Sequence, residues 1–480
     1  MIAHRALLVV VVVGTFVAFG GMPGWTTVPV LAASLTLWAV ATFRRPALGF
    51  TNAPLDLALL GLAGAVALQV VPLPASVVDV LSPAASGLES QLFVGAGGMG
   101  GGARPLTLDV SRTLASLATV VSAVLVFVAT RSILHAGGTR ALCRTLAFFG
   151  AVAGLAALGF RVAAPEHIFG FWQPEAISAK PLGPFVNRNH FAGWLLLILP
   201  VSAGYFVAQL SSRTGDGRVG TAMAAALNSR AAATGAAVFV MGIVLLLAES
   251  RSAWVGLAVA VSVGWWTSGP RRSRHRAASL SAVAFGIAAL LLALLFVNPD
   301  SVVARLAGTF QDMPTSRVVI WRETLPLVRD FWSVGTGAGT FGMAMTAYQE
   351  TWPYFPHLRE YIHFNQAHNH YLHVAAEGGV LLVVPSVAVI LFASRVMRRA
   401  LREQGGEAYW VRLGAVASLA GIAAQSVFEI PLIAPANALL AAVVLAIAVH
   451  RRDPSTVKHR PSTAAAAAPD VTARAGTTRR

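Results

Sequence analysis

The sequence predicts an all-α membrane protein: a polytopic transmembrane helical bundle of about twelve spans with a large external loop containing short helices. Three observations carry this. Of 480 residues, 56% are hydrophobic and 12% are charged, about half the charged share of an ordinary soluble domain. The apolar excess, with a mean hydropathy of +0.67, falls into blocks of about 20 residues, the length that crosses a bilayer. The connections between blocks alternate between Arg-rich and Arg-poor, as the charge bias of membrane loops requires.

The blocks lie near residues 6–22, 25–43, 56–73, 113–130, 143–164, 190–209, 232–249, 251–267, 277–297, 374–395, 409–428 and 431–450. The first, preceded by Arg5, imitates a secretory leader, but a second block follows at once and favours a retained helix. Only Glu249, Ser250 and Arg251 separate the seventh from the eighth. With the N-terminus assigned to the cytoplasm, 25 of the 36 basic residues fall on that side, among them Arg44, Arg45, Arg131, Arg140, Arg144, the run from Arg271, and Arg395 to Arg412. Both termini are therefore expected inside, and the net charge of +16 needs no nucleic acid to explain it. The lone Cys143 excludes an intramolecular disulfide and a cysteine zinc site.

Residues 1–297 are expected to hold helices one to nine, 298–373 the large external loop, 374–450 helices ten to twelve, and 451–480 a disordered cytoplasmic tail rich in Ala, Ser, Thr and Pro. A second external segment, 74–112, contains GAGGMGGGA and reads as flexible. The loop at 298–373 mixes Trp, Tyr, His and Arg, and a loop of that length and composition carries function.

Polar clusters from distant parts of the chain are expected at this same external face. In LLLAESRSAW, Arg251 reads either as a snorkelling interfacial residue, paired with Glu249, or as a guanidinium fork for phosphate oxygens. In TSRVVIWRETL, Arg317 and Trp321 are four apart and share a helical face; an amphipathic surface helix is the plain alternative, above all for Arg322 and Arg329. In HFNQAHNHYLHVAAEGG, which also contains His363, the residues His370, His373 and Glu377 fall at spacings that a metal could use. His368 as a general base beside an Arg-bound phosphate is the simpler reading, against a satisfied interfacial histidine. In GPFVNRNHFAGW, Asn187, Arg188, Asn189 and His190 precede an apolar helix, and capping accounts for one of them. Gly335, Gly337 and Gly339 are spaced like a phosphate-binding loop but lack its strand-turn-helix setting. No Asp-x-Asp pair is present to hold a diphosphate-bound metal.

Taken in order, GPFVNRNHFAGW, ESRSAW, RVVIWRETL followed by GTGAGTF, and AHNHYLHVAAEGG resemble the O-antigen ligase family over most of the stretch from about Gly183 to Leu432. The resemblance implies a multi-pass enzyme of the bacterial inner membrane with a periplasmic active site. Its donor would be a glycan on undecaprenyl diphosphate, and its acceptor a lipid A core, another glycan or a protein hydroxyl, among membrane lipids. Arg251, Arg317 and His368 are then implied to be catalytic. Arg188, His190, Asn187, Arg322, Asn369, Tyr371 and Glu429 are implied to bind substrate. The chain departs from the motif in carrying His370 and His373 beside His368. The expected chemistry is metal-independent glycosyl transfer without a cofactor, the two arginines gripping the diphosphate while His368 takes the acceptor proton. A polysaccharide polymerase of the same family, a lipid-linked glycan flippase and a non-enzymatic glycan-binding component are the alternatives.

Overall fold

Eleven of the twelve apolar blocks fall among the residues that the computed structural model describes, and each is a helix. Those residues are 2–43, 52–92, 102–137, 139–174, 179–211, 230–272, 317–355, 360–403 and 405–451. The ninth block, most of the Gly-rich stretch and the tail lie outside them. The helices are α1 (Ile2–Val17), α2 (Thr27–Phe43), α3 (Ala53–Val70), α4 (Ala75–Leu81), α5 (Ala85–Leu92), α6 (Val110–His135), α7 (Thr139–Ala163), α8 (Arg188–Ser211), α9 (Arg230–Leu247), α10 (Arg251–Arg272), α11 (residues 317–330), α12 (Phe341–Tyr348), α13 (His370–Glu403), α14 (Glu407–Gln425) and α15 (Pro435–Val449). Strand is confined, among the described residues, to two short antiparallel pairs, β1 (Leu73–Pro74) with β2 (Ala103–Arg104) and β3 (Tyr354–Phe355) with β4 (Glu360–Tyr361). Seven of the described helices are long and apolar enough to span a membrane. The protein is an all-α, multi-pass membrane protein.

Helix α8 runs through the middle of the bundle. Its sequence is apolar on every side, and Phe191 to Leu199 are all buried, as expected of a helix without a polar face. It lies against α14 at a separation only glycine allows: a Cβ on Gly204 would fall on the Trp410 carbonyl, and one on Gly256 of α10 would meet the Gly421 carbonyl of α14. Small residues of this kind are what bring helices close in lipid, where no hydrophobic force drives them together. Pro200 interrupts the α8 ladder, and Ser418 Oγ of α14 donates to the Leu197 carbonyl at 2.9 Å.

Helix α13 overruns its expected block at both ends and breaks at Gly379, where φ is +50°. A break exposes backbone groups that lipid cannot satisfy. Here the large loop satisfies them. Val380 and Leu381 donate to the Trp332 and Ser333 carbonyls at 2.8 and 3.0 Å, while Thr336 and Gly337 donate to the Ala376 and Glu377 carbonyls at 3.2 and 2.9 Å. Gln69 of α3 closes the junction, its Nε2 donating to the Val334 and Glu377 carbonyls. The Gly335, Gly337 and Gly339 spacing belongs to this junction. All three have positive φ, and a Cβ on them would collide with the Glu377 backbone, Thr107 and Ser116 respectively. Gly337→Ala, with φ +107°, is expected to cost about 1–3 kcal/mol from strain alone, and more from the overlap with Thr107. Thermal unfolding of the purified variant measures this; an unchanged midpoint would contradict it.

Because neighbouring helices alternate in direction, the start of α8, the end of α9, the start of α10, the start of α13 and the end of α14 gather at one end of the bundle. The opposite end holds ion pairs between Arg131 and Asp56, 2.5 Å apart, and between Arg140 and Glu407, 2.6 Å apart.

Candidate functional site

At the first of these ends the turn between α14 and α15 places Glu429, which is fully buried. Three groups converge on its carboxylate. His368 Nδ1 lies 3.1 Å from Oε1, Asn189 Nδ2 donates to Oε2 at 2.6 Å, and an Arg317 guanidinium nitrogen lies 3.7 Å from Oε2. His190, on the first turn of α8 and itself buried, acts electrostatically on both Glu429 and His368. Burial pushes the Glu429 carboxyl up, but the His368 hydrogen bond and the charges of His368, His190 and Arg317 outweigh it and hold its pKa at about 2, below the ordinary 4.5.

A carboxylate on Nδ1 assigns the imidazole proton to that nitrogen and leaves the Nε2 lone pair as an acceptor. The His368 ring is a third exposed, so it can meet a ligand. His368 occupies the left-handed region at φ +47°, strain of the kind that functional positions retain.

Arg317 lies on helix α11, and Trp321 one turn later anchors that helix by donating its indole N–H to the Ala367 carbonyl at 2.9 Å, beside His368. Burial lowers the Arg317 pKa, the Glu429 carboxylate opposes that, and the Arg251 guanidinium adds to it. Arg317 and Arg251 thus act on each other as like charges. One guanidinium nitrogen of Arg317 is buried without a hydrogen-bond partner among the described residues. Such a pair gains an anion's stabilisation without having to move.

The turn before α10 gathers arginines on a second carboxylate. Glu249, left-handed at φ +53°, receives Arg188 of α8 at 2.7 Å and Arg161 of α7 at 2.9 Å.

The remaining expected residues divide. Asn187 Oδ1 accepts the Asn189 N–H at 2.9 Å and Asn369 Oδ1 accepts the Leu372 N–H at 3.0 Å, each capping the helix it precedes. Tyr371 is exposed and donates to the Ala423 carbonyl at 2.9 Å. Arg322 is exposed on α11, away from the buried side that carries Glu323. His363 is held through both ring nitrogens, by Gln349 Oε1 and the Gly342 carbonyl. His373 Nε2 lies 3.3 Å from Glu377 Oε1, which also accepts the Phe341 N–H at 3.0 Å, so this pair ties α13 to α12. No group of three metal-ligating side chains occurs among the described residues.

Two participants were not legible beforehand in these roles: Arg161, and Asn189 as a donor to Glu429. Their signal was weak, an arginine ending an apolar block and one asparagine of several.

Residues 236–387, which contain Glu249, Arg251, Arg317 and His368, match the family model for O-antigen ligase. This stretch is similar to the O-antigen ligase family. No curated protein matches the chain in a sequence search. The site is wider than the matched segment: Arg161, Arg188, Asn189 and His190 come from before it and Glu429 from after it.

Because the folded Glu429 value is depressed, this carboxylate stabilises the protein above about pH 4.5, and the contribution is lost as pH falls toward about 2. Unfolding midpoints of the wild type and Glu429→Gln should stay apart above this window and converge within it; a gap indifferent to acid would contradict the assignment.

Proposed function

We propose that this membrane glycan ligase or polymerase transfers a glycan from undecaprenyl diphosphate to an acceptor hydroxyl at the periplasmic face of the inner membrane. The observation that carries the reading is the cluster in which buried Glu429 receives His368 and Arg317, with Arg251 acting electrostatically on Arg317. Arg251 and Arg317 bind the diphosphate and stabilise the negative charge that grows on it as the bond from the anomeric carbon to the phosphate oxygen breaks. The acceptor oxygen forms the new bond to that carbon. Its proton passes to His368 Nε2 and from there to solvent or the departing diphosphate, restoring the imidazole. Glu429 steadies the transient imidazolium. The diphosphate leaves with the electron pair.

Broken helices are also found in secondary transporters, which keeps a flippase as the second reading, although loop backbone fills the break in α13 here. Purified protein in liposomes, supplied with donor and acceptor, separates the two. Formation of a new glycosidic bond is the expected result, and donor movement without bond formation would overturn it.

A further inference from the structure

Between α12 and His368 the chain presents three open aromatic faces: Trp352 is 43% exposed, Tyr354 51% and Tyr361 65%. Tyr354 and Tyr361 are cross-strand partners of the β3–β4 hairpin with ring centres 5.1 Å apart. Trp352 stacks at 5.7 Å on the ring of His363, whose nitrogens are both held. The rings are therefore a braced platform.

Both feet of this hairpin are fastened to elements that carry the site. Glu323 accepts the Glu350 and Thr351 N–H groups at 3.1 Å each, and it follows Arg317 by six residues on α11, a rise of about 9 Å. On the other foot, Gln349 Oε1 accepts the Phe364 N–H at 2.8 Å, only four residues before His368. The platform thus stands a short, fixed distance outward from the place where the diphosphate would be held.

Exposed aromatic side chains grouped in this way mark a partner surface. Residues 341–367 carry Glu350 and Glu360 against a single basic residue, Arg359, not the cluster of Lys and Arg that an anionic bilayer surface attracts. A sugar ring fits instead: its C–H face packs on an aromatic face and its hydroxyls meet the phenol rim. We infer that Trp352, Tyr354 and Tyr361 bind the glycan chain of the donor, several sugars out from the reacting carbon. This rests on the donor proposed above.

The test uses the full chain in nanodiscs with one acceptor and two undecaprenyl diphosphate donors, one bearing a single repeat of the host polysaccharide and one bearing many. Trp352→Ala, Tyr354→Ala and Tyr361→Ala should each lower kcat/KM for the long donor by roughly three- to tenfold and leave the single-repeat donor unchanged. The tyrosine-to-phenylalanine variants should retain most of the long-donor activity. Equal losses on both donors would mean contact with carrier lipid or bilayer, and losses that follow acceptor length would mean acceptor binding; either result, or no loss at all, overturns the inference. If the wild type transfers neither donor, the functional reading falls and takes this one with it.

Discussion

Substituting His368 by alanine is expected to slow glycan transfer by about 10²- to 10⁴-fold, the range supplied by a positioned general base, while the protein still inserts and folds. The ring is at the surface of the site and its only described polar partner is Glu429, 3.1 Å away, so little packing is lost. Glu429→Gln should cost less, about 10- to 100-fold, as is usual for a group that orients a functional imidazole. The informative measurement is the double variant. If Glu429 acts through His368, the pair of substitutions should cost no more than His368→Ala alone. Losses that multiply would show that the carboxylate works independently and would remove the assignment of the proton to Nδ1.

Arg251→Ala and Arg317→Ala should each reduce transfer by about 10²- to 10³-fold, the loss typical of one preorganised donor to a developing charge. Lysine should rescue poorly, because a point charge cannot reproduce the planar fork. A second readout tests the physical cause. Arg251 acts as a like charge on Arg317, whose guanidinium lies 3.7 Å from the Glu429 carboxylate, so their repulsion is present before any ligand arrives. Removing Arg251 should leave the apo protein as stable as the wild type or more so. Undecaprenyl diphosphate should then raise the unfolding midpoint of the wild type but not of the variant, since stabilisation follows from binding to the folded state. A variant that keeps both transfer and this ligand response would sink the diphosphate assignment.

The fold was legible because it is written in contiguous chain. Block length against bilayer thickness and the alternation of arginine between connections both act locally, so eleven helices lie where the apolar blocks indicate. Of the residues singled out on the sequence, Arg317 and His368 lie about one carboxylate, and Arg251 acts electrostatically on Arg317.

What sequence could not contain was partnership. That Glu429 lies against His368, 61 residues away, and that Asn189 reaches the same carboxylate across 240, follows from α14 packing on α8 through glycines and from the large loop folding back onto broken α13. The same packing assigned Glu249 to Arg161 and Arg188, turned Asn187 and Asn369 into caps, and made the glycine run a close-contact junction rather than a phosphate loop. Hydropathy and charge bias decide that a segment spans and which way it faces. Which helix ends meet depends on close contact between helices, and that is settled only when all of them pack at once.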